Sequence, residues 1–113
     1  MKLIIRLIVT AAVVLLGAYL IPGISVDSFF TAIIVAIVLG LLNTFIKPIL
    51  VFFTIPITIL TFGLFYLVIN VAIILLAGNL ISGFVVEGFW PALFFSLFLS
   101  IIGWILIKLV EKN

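Results

Sequence analysis

A chain of 113 residues in which 69% of side chains are apolar and 7% are charged lies far outside the composition of water-soluble domains, which run at roughly 45–50% apolar and about 25% charged. Five Lys plus Arg and three Asp plus Glu cannot cover the surface of a soluble domain of this length, so the composition implies an integral membrane protein and excludes a disordered region and, with no Cys, a disulfide scaffold. The scattered basic residues form no patch for nucleic acid, and the net charge of +2 is read as a topology signal.

A spanning helix needs about 20 mostly apolar residues, and the first runs over about residues 3–21. Lys2 and Arg6 ahead of this run look like the start of a signal sequence. The run is longer than a signal core, and Gly17-Ala18-Tyr19-Leu20 offers no small-x-small cleavage site, so a retained helix is expected. Pro22-Gly23 stops it, and the polar pair Asp27-Ser28 follows. The second helix is expected over about residues 29–46, stopped by Lys47-Pro48, which would act as a cytoplasmic anchor. Residues 49–81 are too long for one untilted crossing and too short for two. Pro56 removes a helix hydrogen bond, which predicts a short interfacial or re-entrant segment over about 47–62 and a third crossing over about 63–81; one kinked, strongly tilted helix is the alternative. The last crossing is expected over about 89–110.

With four crossings, Lys2, Arg6, Lys47, Lys108 and Lys112 fall on one side and Asp27 and Glu87 on the other. Lys and Arg concentrate in cytoplasmic loops, so both termini are expected in the cytoplasm. If the Pro56 segment crossed as well, this partition would break.

Sliding the sequence against itself by 60 positions aligns Gly23 with Gly83, Val26-Asp27 with Val86-Glu87, and Phe29 with Phe89. Leu-on-Leu matches are cheap in so apolar a chain, but a shared Gly-x-x-Val-acid-x-Phe is not. The match predicts two helical hairpins of the same orientation, a parallel duplication. Ala32, Ala36 and Gly40 recur as Ala92, Ser96 and Ser100, small residues four apart on one face of the second and fourth helices. Such faces let helices approach closely in lipid, within one chain or between subunits. Asn70, the most polar residue at mid-membrane depth, is expected to clasp a neighbouring helix rather than line a path.

Without His or Cys there is no imidazole base, thiolate or soft metal ligand, and neither an enzyme nor a cofactor or metal protein is expected. Asp27 and Glu87 fall at matching outer-loop positions, and the simplest reading puts each in the first turn of its helix, where the dipole favours a carboxylate. Thr54, Thr58 and Thr61 form a hydroxyl stripe around Pro56, suited to satisfying helix carbonyls. Trp90 sits where an interfacial aromatic belt belongs. No ionisable residue lies at mid-depth, which argues against a proton-coupled transporter.

The combination of Asn43-x-x-x-Lys47-Pro48, Pro56-x-Thr58-x-Leu60-Thr61-x-Gly63 and Gly83-Phe84-x-Val86-x-Gly88-Phe89-Trp90 resembles the four-helix phage holin superfamily IV, including its YvlD-like bacterial members. The resemblance covers nearly the whole chain. It implies a small protein of the bacterial inner membrane that self-associates and permeabilises the bilayer; the alternative is a non-permeating envelope-stress accessory or scaffold with a membrane-protein partner. A pore would have to be lined from Thr10, Asn43, Thr44, Asn70, Ser96 and Ser100, which disfavours a standing aqueous channel.

Overall fold

The computed structural model describes residues 2–112. Four apolar helical spans dominate it: α1 (Lys2–Leu20), a span of 25 residues over Phe29–Phe53, α5 (Leu64–Leu80) and α6 (Phe89–Lys112). Three are long enough to cross a bilayer outright. At 17 residues α5 reaches the lower limit for a spanning helix. The helices form a four-sided bundle in which α1 packs against α2 (Phe29–Leu41) and α6, and α5 packs against the same two. The core between them is dry and tightly filled: Val13, Val14, Val35, Val71, Phe84 and Phe95 are fully enclosed, with Ala32, Ala77 and Ala92 at the closest approaches.

Pro22-Gly23 and Ser82-Gly83 each turn the chain into a three-residue strand, β1 (Ile24–Val26) and β2 (Phe84–Val86). The strands pair antiparallel, Ile24 opposite Val86 and Val26 opposite Phe84, where outer loops alone were expected. Ile24 and Phe84 point inward and are buried, so the ribbon seals one end of the bundle. Because the strands pair, both hairpin turns lie at this end. The far ends of α1 and α6 meet at the other, where Arg6 lies 3.8 Å from Glu111.

The second helix does not stop at Lys47-Pro48. It widens into a π turn over Leu42–Ile46, in which the Lys47 N–H donates to the Leu42 carbonyl, and continues as α3 (Lys47–Phe53). A proline ring inside a regular helix collides with the carbonyl four residues back. The wider turn, placed immediately before Pro48, accommodates it. The break comes at Thr54, with φ −110° and ψ 12°, after which Pro56 opens the short α4 (Ile55–Leu60). The threonines there satisfy backbone: Thr54 Oγ1 donates to the Leu50 carbonyl at 2.7 Å and Thr61 Oγ1 to that of Ile57 at 3.0 Å. Thr58 departs from the expected stripe, its hydroxyl being buried without a partner among the described residues.

Candidate functional site

Several polar residues of the helices gather around one open crevice, Ser96 buried, Thr10 and Asn70 half-buried, and Asn43, Thr44 and Ser100 exposed. A crevice of about 430 Å³ lies between α1, α2 and α6, walled by Leu3, Leu7, Leu39, Leu99 and Ile107 and carrying Arg6, Thr10, Asn43, Thr44 and Ser100. A smaller recess of about 70 Å³ adjoins it, sharing Leu39, Asn43, Leu99 and Ser100 and adding Lys47, Asn70 and Ser96. Every residue named above as pore-lining material therefore lines the crevice or the recess beside it within a single chain. The crevice occupies the half of the bundle that holds the termini. Towards the ribbon end, Val14, Val35, Ala32, Ala92 and Phe95 close the interior.

The sequence explains the position of each group. Leu3, Arg6, Leu7, Thr10 and Val13 fall at i, i+3, i+4, i+7 and i+10 and so share one face of α1. On α2 and α6 the small residues do two things. Ala32, Ala36, Ala92 and Ser96 are buried at helix contacts. Further along, Gly40 and Gly103 leave open space, with nothing within 4 Å of where a Cβ would stand. The same stripe that permits close packing at one end thus leaves a void at the other. Ser100 and Asn43 border that void, and Asn70 reaches only the smaller recess.

The donors in the crevice are largely unspent. Thr44 Oγ1 donates to the Gly40 carbonyl at 2.7 Å. Thr10, Asn43, Asn70 and Ser100 make no side-chain hydrogen bond among the described residues. Asn70 therefore does not clasp a neighbouring helix as expected. Lys47 Nζ sits 4.4 Å above the Tyr66 ring and Lys108 Nζ 5.8 Å from that of Trp104, so aromatics accompany the cations at this end as well as Trp90 at the other. Arg6, read from sequence only as a topology charge, is the crevice's guanidinium; its spacing with Leu3, Leu7 and Thr10 is the signal that could have found it.

The ribbon end holds the second cluster, Gly23, Asp27, Gly83, Glu87 and Trp90. The Asp27 N–H donates to the Gly83 carbonyl at 3.1 Å and the Glu87 N–H to the Gly23 carbonyl at 2.9 Å. Neither acid lies in the first turn of its helix. Ser28 caps α2, its Oγ accepting from the Thr31 N–H at 3.2 Å, and Asp27 accepts the Thr31 hydroxyl at 2.6 Å. At the matching place beside Glu87 stands Pro91, whose ring lies against Gly23. Trp90 is exposed and packs edge-on against Phe89. Among the described residues no group of three His, Cys, Asp or Glu could hold a metal ion.

Comparison with known proteins agrees with this architecture. Residues 1–105 match the family model described as the Mycobacterial 4 TMS phage holin, superfamily IV. An uncharacterised protein of Streptomyces coelicolor is 44% identical over 84 residues, covering 71% of this chain and 67% of the relative. The uncharacterised membrane protein YvlD of Bacillus subtilis is 38% identical over 82 residues, covering 72% and 69%. No solved structure matches. The extent of the family match and these two relatives establish that the chain belongs to the four-transmembrane phage holin superfamily IV.

Proposed function

We propose that the protein is a non-permeating module of the bacterial cytoplasmic membrane, with both termini in the cytoplasm and the crevice as its working part. The observation that carries this reading is the direction of its polar groups. A lesion wall needs a hydrophilic face on the outside of each subunit. Here Thr10, Asn43, Asn70, Ser96 and Ser100 all border the crevice between helices of one chain, Ser96 buried and Asn43 and Ser100 exposed at its mouth, and the outward surface carries large apolar side chains such as Phe30, Phe45, Phe94 and Ile101. The dry layer around Val14, Val35 and Phe95 supports a closed resting state. Cytoplasmic termini are supported by the concentration of Lys and Arg at the crevice end. The duplication is supported by burial: residues 11–20 and 71–80 show the same order of buried, half-buried and exposed positions throughout.

A second reading, self-association into a holin-type lesion, is favoured by family membership and by residues 49–64, an uncharged stretch in which Phe53, Leu60 and Phe62 are almost uncovered. We read this stretch as lying in the cytoplasmic interface, where a second copy would find it. One experiment decides between the readings. The chain is expressed in a bacterial host to verified membrane levels while a potential-sensitive dye is followed. The expected result is an intact potential. Abrupt depolarisation above a threshold level would overturn the first reading and establish the second.

A further inference from the structure

We propose that the crevice between α1, α2 and α6 seats the phosphate headgroup of an anionic phospholipid, with Arg6 as its cation. The proposal rests on the reading of the crevice as the working part and adds its ligand.

The argument begins with unspent hydrogen-bonding capacity. Thr10, Asn43 and Ser100 line a cavity at the edge of the hydrocarbon and make no side-chain hydrogen bond among the described residues. Thr10 is half-buried and Asn43 and Ser100 stand exposed at its mouth, so their donors are open to whatever enters. All three offer donors, and beside them Arg6 offers the planar fork that suits phosphate oxygens. The Arg6 side chain is 57% exposed and 3.8 Å from Glu111. That separation exceeds a charge-assisted hydrogen bond, so the guanidinium is free to turn from Glu111 to a stronger acceptor.

Size and walls select the source of the phosphate. About 430 Å³ accommodates a phosphoglycerol group but not two acyl chains. The walls Leu3, Leu7 and Ile107 run into the lipid-facing surface, and Leu3 is 71% exposed. Acyl chains would leave along that surface. A soluble phosphate compound gains nothing from those walls. Basic recesses between spanning helices on the cytoplasmic side are suited to anionic headgroups, and Arg6 is the cation that lines this one.

The test is native mass spectrometry of the detergent-solubilised full chain, titrated with dioleoylphosphatidylglycerol and, separately, dioleoylphosphatidylcholine. The expected result is one tightly retained phosphatidylglycerol per chain in preference to phosphatidylcholine. Arg6→Gln should reduce that preference roughly fivefold, the equivalent of about 1 kcal/mol per basic residue, and Arg6→Lys should restore most of it. Glu111→Gln should strengthen it by releasing Arg6. Lys112→Gln, a charge change at the same end that leaves the crevice intact, should have little effect. Equal retention of the two lipids would overturn the proposal. So would a loss in Lys112→Gln as large as in Arg6→Gln, which would mean diffuse surface attraction, or displacement of the lipid by excess inorganic phosphate, which would make a small anion the occupant. The depolarisation assay is independent: a chain that depolarises cells yet retains phosphatidylglycerol refutes the non-permeating reading alone, and one that does neither refutes the lipid seat alone.

Discussion

Asp27 and Gly83 are joined twice: the Asp27 N–H donates to the Gly83 carbonyl at 3.1 Å, and the Asp27 carboxylate fills the place where a Cβ on Gly83 would stand. Gly83 has φ +89°, a conformation that costs a side-chain-bearing residue about 1–2 kcal/mol. Gly83→Ala must meet that cost and also displace Asp27. The expected loss of stability is about 2 kcal/mol or more, read by denaturant unfolding of the detergent-solubilised protein followed by circular dichroism. Gly23→Ala, at φ +94° with the Pro91 ring 2.6 Å from the added Cβ, should behave alike. Gly40→Ala, in open space within a helix, should change stability by no more than about 1 kcal/mol. Equal effects at Gly83 and Gly40 would show that the ribbon adds nothing to the fold.

Thr31 is 8% exposed, and its hydroxyl donates to Asp27 at 2.6 Å. Thr31→Val keeps the shape and removes the donor, with an expected cost of about 1–2 kcal/mol for a hydrogen bond to a charged group. Asp27→Ala removes the other partner, so the double variant should be no less stable than the worse single one. Simple additivity of the two losses in the same unfolding assay would mean that the bond does not form.

The four apolar helical spans, their order and the gathering of cations at one end were legible because length and composition determine them. The ribbon was not, since strands of three residues are too short to show a period. Its trace in the sequence was the recurrence of Gly-x-x-Val-acid-x-Phe at a spacing of 60, which marked the place without naming the structure. Lys47-Pro48 read as a stop because a proline opening a new helical turn and a proline ending a helix look alike in sequence; the π turn over Leu42–Ile46 decides between them. The small residues of α2 and α6 left packing within the chain and between chains equally open. The structure buries Ala32, Ala36, Ala92 and Ser96 inside the chain and opens a void around Gly40 and Gly103. No local pattern encodes that division, because it depends on where α1 crosses.

Gly17 on α1 is buried against α6, where a Cβ would stand 2.8 Å from Cε1 of Phe95, a ring that also packs on Phe84 at 5.8 Å between centroids. The ring is enclosed and has no room to retreat. Gly17→Ala is expected to destabilise the bundle by about 1–3 kcal/mol through overpacking. Phe95→Leu in the same chain should relieve part of the loss, giving a coupling of about 0.5–3 kcal/mol in a double-mutant cycle. Zero coupling would mean that α1 and α6 do not meet at this point.

The absence of native Cys makes the chain suited to single-cysteine labelling in intact cells with a membrane-impermeant maleimide. Ser25 and Glu87 are exposed on the ribbon, and Ser25→Cys and Glu87→Cys should label from outside. Lys112→Cys should label only after the cells are opened. The informative position is Phe62, 97% exposed at the turn between α4 and α5. With residues 47–62 at the cytoplasmic interface, Phe62→Cys should follow Lys112→Cys. Labelling of Phe62→Cys from outside would require α3 and α4 to cross the membrane, which would move Lys108 and Lys112 to the outer face and undo the charge partition from which the topology is argued.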